Sequence, residues 1–160
     1  MNVLTVGYQG LSLLELGAVL RSAGTGALID VRDVPWSKLP EFRKGSLIEL
    51  CDFLGIPYVH LKAAGNPKRL REQASARSEL DRFRDHLASR PDLRRTIISD
   101  VGGFLGQGVA PCLLCLERDY RRCHRSVVVE ILGQQWPNLR VTHLLPEAVQ
   151  SSDSSSTGVS

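Results

Sequence analysis

The sequence predicts an α/β fold: a single three-layer, Rossmann-like domain whose five strands form a mostly parallel sheet. Three observations lead there. Short β-branched or apolar runs alternate with segments of helical periodicity along the 160 residues, the pattern of strand–helix–strand units with right-handed crossovers. The run GALIDVR is apolar on both faces as far as Asp30, as a central parallel strand covered by helices requires. A chain with 42% hydrophobic and 23% charged residues suits one soluble domain with its own core and has no room for a second.

The elements follow in order. NVLTVG, ending at Gly7, reads as the first strand. Ser12-Leu13-Leu14-Glu15 is a capping box, in which hydroxyl and carboxylate satisfy free amides at a helix start. Leu13, Leu16, Val19 and Leu20 keep helical spacing up to Gly24, a stop signal. GALIDVR is the second strand. Ser46-Leu47-Ile48-Glu49 is a second capping box, opening a helix with Leu47, Leu50, Cys51 and Leu54 inward and Gly55 at its end. PYVHL is the third strand. From Lys62 to Arg95 the chain is polar and basic; Leu80, Phe83, Leu87 and Leu93 mark helix there, broken at Pro91. Helix resumes through DLRRTIISDVGGFL, weakened by Gly102-Gly103. VAPCLLCLE, RSVVVEILGQQ and LRVTHLL supply a fourth strand, a helix and a fifth strand. The expected strand order is 3-2-1-4-5. The domain is placed at residues 1–146, and the Ser-rich tail 147–160 is expected to be disordered.

Formal net charge is +3, from 20 Lys and Arg against 17 Asp and Glu; leaving out Glu147 and Asp153 of the tail gives 20 against 15. That excess is compatible with anionic ligands and too small to single out nucleic acid. Sixteen of the basic residues are Arg, the side chain suited to two-point recognition of phosphate or carboxylate. No apolar run approaches the roughly 20 residues that span a bilayer, so no membrane partner is expected. The start MNVLTVGYQG lacks the regions of a signal peptide. The expected location is cytoplasmic, with Cys51, Cys112, Cys115 and Cys123 as reduced thiols. Residues 68–95 carry nine basic and five acidic side chains, read first as a solvated helical face and second as a nucleic-acid surface.

In open parallel sheets ligands bind beyond the carboxyl ends of the strands. That rule brings Tyr8, Asp30, Arg32, His60 and the segment after Cys115 to one edge. The strongest local signal is CLLCLERDYRRCHRS, residues 112–126: Cys115 and Glu117 close a strand, and Cys123, His124, Arg125 and Ser126 open a helix. A thiol beside a helix start and flanked by Arg121, Arg122 and Arg125 has its thiolate stabilised, so Cys123 is expected to be the most reactive. The same amides and Arg125 could hold a phosphate, sulfate or carboxylate. The plainer reading makes Cys115 a small buried hydrophobe, Cys123 a loop residue and Ser126 a cap. Cys112-x-x-Cys115 with Cys123-His124 also offers four soft ligands. Strand residues three apart face opposite ways, however, and a neighbouring Cys and His seldom share an ion, so no metal ligands are assigned. Asp30-Val31-Arg32 ends a buried strand, where a charged pair must be solvated, mutually bonded or functional. The loop Pro35–Lys44 carries Trp36 and Phe42, which could stack a base, cover a ligand or pack on the rim. His60 is placed to move a proton.

Gly7-Tyr8, Asp30-Val31-Arg32, Pro35-x-Ser37, Phe42, Tyr58-Val59-His60-Leu61, Cys115-x-Glu117 and Cys123-His124-Arg125-Ser126 together resemble the family defined as domain of unknown function 488, over about residues 2–145. The resemblance implies a small α/β domain with a polar site built from these residues, and supplies no reaction. The sequence departs from the family pattern at Ala64-Gly65-Asn66, where Leu-Gly-Gly is usual, at ARSELDRFRDHL, which replaces an aromatic-rich segment, and at Cys112, usually a small residue. The Asp-x-Arg strand end and the Cys loop also resemble rhodaneses and cysteine phosphatases, whose anion loop is more compact than the span from Cys115 to Arg125.

The leading expectation is an enzyme-like domain acting on or binding a phosphate-bearing or otherwise anionic substrate, a nucleotide or nucleic acid. Cys115 or Cys123 would be the nucleophile or redox thiol; Glu117, Asp30, His60 and His124 would handle protons. Tyr8, Arg32, Ser37, Arg125 and Ser126 would bind substrate. One alternative is a non-catalytic nucleic-acid-binding module using residues 68–95 and the Trp36/Phe42 loop. The other is a small domain binding zinc or iron. The sequence assigns neither a cofactor nor an oligomeric state.

Overall fold

The computed structural model describes residues 1–146; the tail 147–160, expected to be disordered, lies outside the described residues. The strands are β1 (Asn2–Gly7), β2 (Ala27–Asp30), β3 (Tyr58–His60), β4 (Pro111–Cys115) and β5 (Arg140–Leu144). The helices are α1 (Leu13–Ser22), α2 (Lys44–Leu54), α3 (Lys68–Arg71), α4 (Glu79–Ala88), α5 (Pro91–Gly106) and α6 (Arg125–Gln135). Every strand pair is parallel, which gives the three-layer α/β fold that the alternation of elements predicts. None of the helices is long and apolar enough to cross a membrane.

The strand order is β3-β2-β4-β1-β5, and this corrects the expected 3-2-1-4-5. β4 lies between β2 and β1, with Asp30 opposite Leu114 on one side and Gly7 opposite Cys115 on the other. β1 and β4 are both buried along nearly their whole length, so apolar character alone does not rank them. Their exchange matters for the site. It sets Cys115 directly between the ends of β1 and β2.

Side chains alternate across the sheet and so sort into two cores. Cys112 and Leu114 of β4 join Leu4, Val6 and Leu28 under Leu16, Leu20, Leu47 and Cys51 of α1 and α2. Leu113 and Cys115 face the other way, with Val3 and Ile29, toward Phe83, Leu87, Ile97, Val101, Val128 and Leu132 of α4, α5 and α6. Each such side chain removed from water contributes about 1.5–3 kcal/mol.

The first capping box forms as expected: Glu15 N donates to Ser12 Oγ and Ser12 N to Glu15 Oε1, both at 3.1 Å. The second does not. α2 already begins at Lys44, so Ser46 lies inside the first turn and donates its hydroxyl to the Pro40 carbonyl at 2.9 Å. Pro91 breaks the chain as expected, by opening α5 at its first turn. The helix then runs through Gly102-Gly103 to Gly106, and packing gives the reason. A Cβ on Gly102 would lie 2.9 Å from the Trp136 ring, so the missing side chain lets α5 and Trp136 meet.

Candidate functional site

Asp30 and Arg32 lie at the end of β2, and each is the other's main partner. Arg32 donates from Nε to Asp30 Oδ1 at 2.9 Å and from Nη2 to Oδ2 at 2.7 Å. Its Nη1 donates to the Phe42 carbonyl, the Tyr8 hydroxyl and the Trp36 carbonyl at 2.8, 3.2 and 3.3 Å. Tyr58 Oη donates to the same Asp30 Oδ2 at 2.6 Å. Burial works against the Arg32 charge, but the Asp30 carboxylate outweighs it and holds the guanidinium firmly protonated. Burial and the bond to Asp30 likewise push the Tyr58 phenol well above its usual range. Both Asp30 oxygens and nearly all the Arg32 donors are thus spent on tying the Trp36/Phe42 loop to the sheet. His60 adds to this frame, donating Nε2–H to the Arg32 carbonyl at 2.8 Å.

Arg125, at the start of α6, is fully buried. Its guanidinium donates to Thr5 Oγ1 at 3.2 Å, to the Glu117 carbonyl at 2.5 Å and to the Arg118 carbonyl at 3.1 Å. These donors pin the segment after β4 across β1. A Cβ on Gly7 would lie 1.7 Å from the same Glu117 carbonyl oxygen. Glycine is therefore required there by close approach, not by backbone conformation. Ser126 is turned inward on its own helix start, its hydroxyl donating to the Cys123 carbonyl at 2.7 Å.

The pinned segment presents two thiols to one imidazole. Cys115 Sγ lies 3.6 Å from His124 Nδ1 and 3.3 Å from Glu117 Oε2, and Cys123 Sγ lies 4.0 Å from the same Nδ1. The other ring nitrogen, Nε2, is 2.7 Å from the Val31 carbonyl. A carbonyl only accepts, so Nε2 carries a proton and the neutral ring turns its Nδ1 lone pair to the thiols. The Phe83 ring meets His124 edge-on, with centroids 5.4 Å apart, which fixes the ring plane as well. Burial opposes charge on His124, but contact with the Cys123 sulfur, the Val31 carbonyl and the Glu117 carboxylate outweighs it and raises the pKa. Cys123 moves against expectation. It is 1% exposed, and burial, with Cys115 beside it, pushes its thiol well up despite His124. Burial does the same to Cys112, and with Asp52 pushes Cys51 up to about 12.

Cys115 opens instead onto a cleft of about 340 Å³ at the carboxyl end of the sheet. Tyr8, Arg32, Glu117 and His124 share its wall, with Trp36 at the rim. So do Asn66, Glu79, Arg71 and Arg122, none of which the sequence assigns to the site, although it sets Arg122 beside the Cys123 thiol. Arg71 and Arg122 form no side-chain hydrogen bond or ion pair among the described residues, so they are the cations left for a ligand. Arg71 belonged to the basic stretch that sequence reading treated as one surface.

A family model for domain of unknown function DUF488 matches residues 12–132. The chain belongs to the DUF488 family. No curated protein and no solved structure matches it. Of the residues that carry the resemblance, all but Gly7 and Tyr8 fall inside the DUF488 match. Of them, the cleft brings together Tyr8, Arg32, Cys115, Glu117 and His124. Cys123 lies behind Cys115, Asp30 and Arg125 are buried beneath, and Ser37 faces its own loop, accepting from Leu39 N at 3.2 Å.

Proposed function

We propose that this DUF488 chain is a thiol-dependent, enzyme-like domain acting on a small anionic substrate in the cleft, with Cys115 as nucleophile. The observation that carries the reading is the His124 ring, held by the Val31 carbonyl with Nδ1 3.6 Å from Cys115 Sγ. Nucleophile, base and orienting group then stand in the sequence that activated thiols require. The Cys115 proton passes to His124 Nδ1; the thiolate then forms a bond to the electrophilic centre of the substrate as the bond from that centre to its leaving group breaks, and the His124 imidazolium returns the proton to the departing group. Glu117, whose Oε2 lies 3.3 Å from the sulfur, holds the thiol before transfer, and its carboxylate charge stabilises the imidazolium that forms. Arg71 and Arg122 supply the charge that Arg32 and Arg125, committed elsewhere, do not. A cleft of about 340 Å³ suits a small molecule better than a strand of nucleic acid.

Competitive alkylation tests this reading. Cys115 is expected to label first, with Cys51, Cys112 and Cys123 far behind. The ratio of iodoacetate to iodoacetamide labelling at Cys115 should fall when Arg71 or Arg122 is replaced by Ala, and the Cys115 rate should fall in His124→Ala. Cys123 labelling ahead of Cys115, or a ratio indifferent to both arginines, would overturn it.

A further inference from the structure

The thiol reading leaves Cys123 unused, although its sulfur shares the imidazole with Cys115. We infer that Cys115 Sγ, Cys123 Sγ and His124 Nδ1 form a binding site for a thiophilic divalent cation of the zinc class, with the fourth position open to the cleft. These three atoms lie within 4.8 Å of one another. A tetrahedral zinc ion, with bonds of about 2.3 Å to sulfur and about 2.0–2.1 Å to nitrogen, separates sulfur from nitrogen by about 3.6 Å. The two sulfur–nitrogen separations here are 3.6 and 4.0 Å, so each sulfur–nitrogen pair is within a few tenths of an ångström of that value, and the two sulfurs, no more than 4.8 Å apart, need to approach by at most about 1 Å to share the ion.

Three further features fit a metal. His124 donates its other ring nitrogen to a backbone carbonyl, the arrangement that orients metal-bound histidines and raises their basicity. Two thiolates and a neutral imidazole cancel a 2+ charge, so the loaded site can remain buried without an uncompensated ion. Two sulfurs also select against magnesium and calcium, which take oxygen ligands. Neighbouring Cys123 and His124 reach one point because Cys123 is extended while His124 has entered the helical turn. Cys112 takes no part, since it faces the opposite core. The site thus has three protein ligands and one open position, as catalytic zinc sites do, instead of a closed set of four. Binding expels the two thiol protons to solvent. It also occupies the Cys115 sulfur and the His124 lone pair together, so the loaded form has no free nucleophile. Metal binding itself does not depend on the proposed thiol chemistry; only that blockade does.

The test uses the reduced, full-length chain stripped with a chelator and titrated with Co²⁺. One equivalent should produce thiolate-to-cobalt absorption in the near ultraviolet and visible bands of a tetrahedral ion, and Zn²⁺ should abolish both. Cys115→Ser and Cys123→Ser should each remove the thiolate bands, whereas Cys51→Ser and Cys112→Ser keep them, with folding checked by circular dichroism. On the unmodified chain Zn²⁺ should slow Cys115 alkylation at least tenfold. Absent thiolate bands, bands that survive either Cys115→Ser or Cys123→Ser, or a Cys115 rate indifferent to Zn²⁺ would overturn the metal site. A Cys115 that fails to label even in the stripped chain, while Co²⁺ still binds, would overturn the thiol reading and leave the metal site standing.

Discussion

Arg32 and Asp30, two residues apart at the end of β2, form a two-point ion pair in which the side chains are 7% and 0% exposed. Removing one partner leaves the other charged and without water. Asp30→Ala is therefore expected to cost about 3–5 kcal/mol in urea unfolding. Tyr58→Phe, which deletes only the hydroxyl bond to Asp30, should cost about 1.5–3 kcal/mol. Asp30→Ala within about 1 kcal/mol of the unmodified chain would show that the pair does not carry the loop.

Gly7 and the Glu117 carbonyl give a second test. The Cβ of Gly7→Ala would overlap backbone atoms of Glu117 at 1.7 and 2.3 Å, and backbone cannot rotate away as a side chain end can. The segment from Leu116 to Arg118 must lift. Stability should drop by at least about 1–3 kcal/mol, the size typical of overpacking, and Cys115 alkylation should accelerate as its cover moves. Gly10→Ala is the control: its φ of +81° makes alanine strained, yet a Cβ there meets nothing within 4 Å. It should lower stability with the Cys115 rate unchanged.

Periodicity and caps carried most of the fold. The apolar run ending at Asp30 is an interior strand flanked by β3 and β4, and Ser12 caps α1 through Glu15. What local pattern does not encode is which of two equally apolar strands stands in the middle, so β1 and β4 were exchanged. The edge that carries the candidate cleft is legible too, because it follows from strand polarity. The division of labour among its charges was not. Arg32 and Arg71 look alike in sequence, and only packing shows that one is saturated and the other open. Cys123 misled for a related reason: its cationic neighbours suggested a low pKa, while its burial, a tertiary property, sets the direction.

The basic stretch can be tested as a nucleic-acid surface. Lys68, Arg77, Arg84 and Arg90 pair with Glu72, Asp85, Asp81 or Glu130, and Asp92, while Arg82 donates to the Leu70 and Arg77 carbonyls. Four of the nine cations are thus neutralised by partners, and Arg69, Arg71, Arg82, Arg94 and Arg95 stay without an ion pair among the described residues, a charge sufficient only for weak, sequence-independent contact with a phosphate backbone. Binding to mixed-sequence single-stranded DNA at physiological salt should therefore be no tighter than the non-specific range of about 10⁻⁴–10⁻⁶ M, by fluorescence anisotropy. A much tighter complex with a steep salt slope would return the nucleic-acid module to first place.

His143 supplies a pH dependence whose sign can be worked out. Its Nδ1 lies 2.7 Å from Thr5 Oγ1, the hydroxyl that also receives Arg125 Nε at 3.2 Å, and Tyr120 stacks on its ring with centroids 3.5 Å apart. Burial and then the Arg125 charge lower its pKa below the ordinary 6.5. Between the folded and unfolded values the unfolded chain binds more protons, so stability rises with pH there. The contribution of His143 is complete above about 6.5, is lost as pH falls from there through the folded value, and levels off below it. His86 shifts the same way and His124 the opposite way, so the whole-chain profile mixes three terms. The difference between the unmodified chain and His143→Gln isolates one. Urea unfolding at pH 7.5 and pH 5 should show the variant losing less stability on acidification than the unmodified chain does, and the His143 ring should titrate below 6.5 by NMR. Equal losses in the two chains, or a His143 ring titrating above 6.5, would mean that neither burial nor the Arg125 charge lowers the His143 pKa.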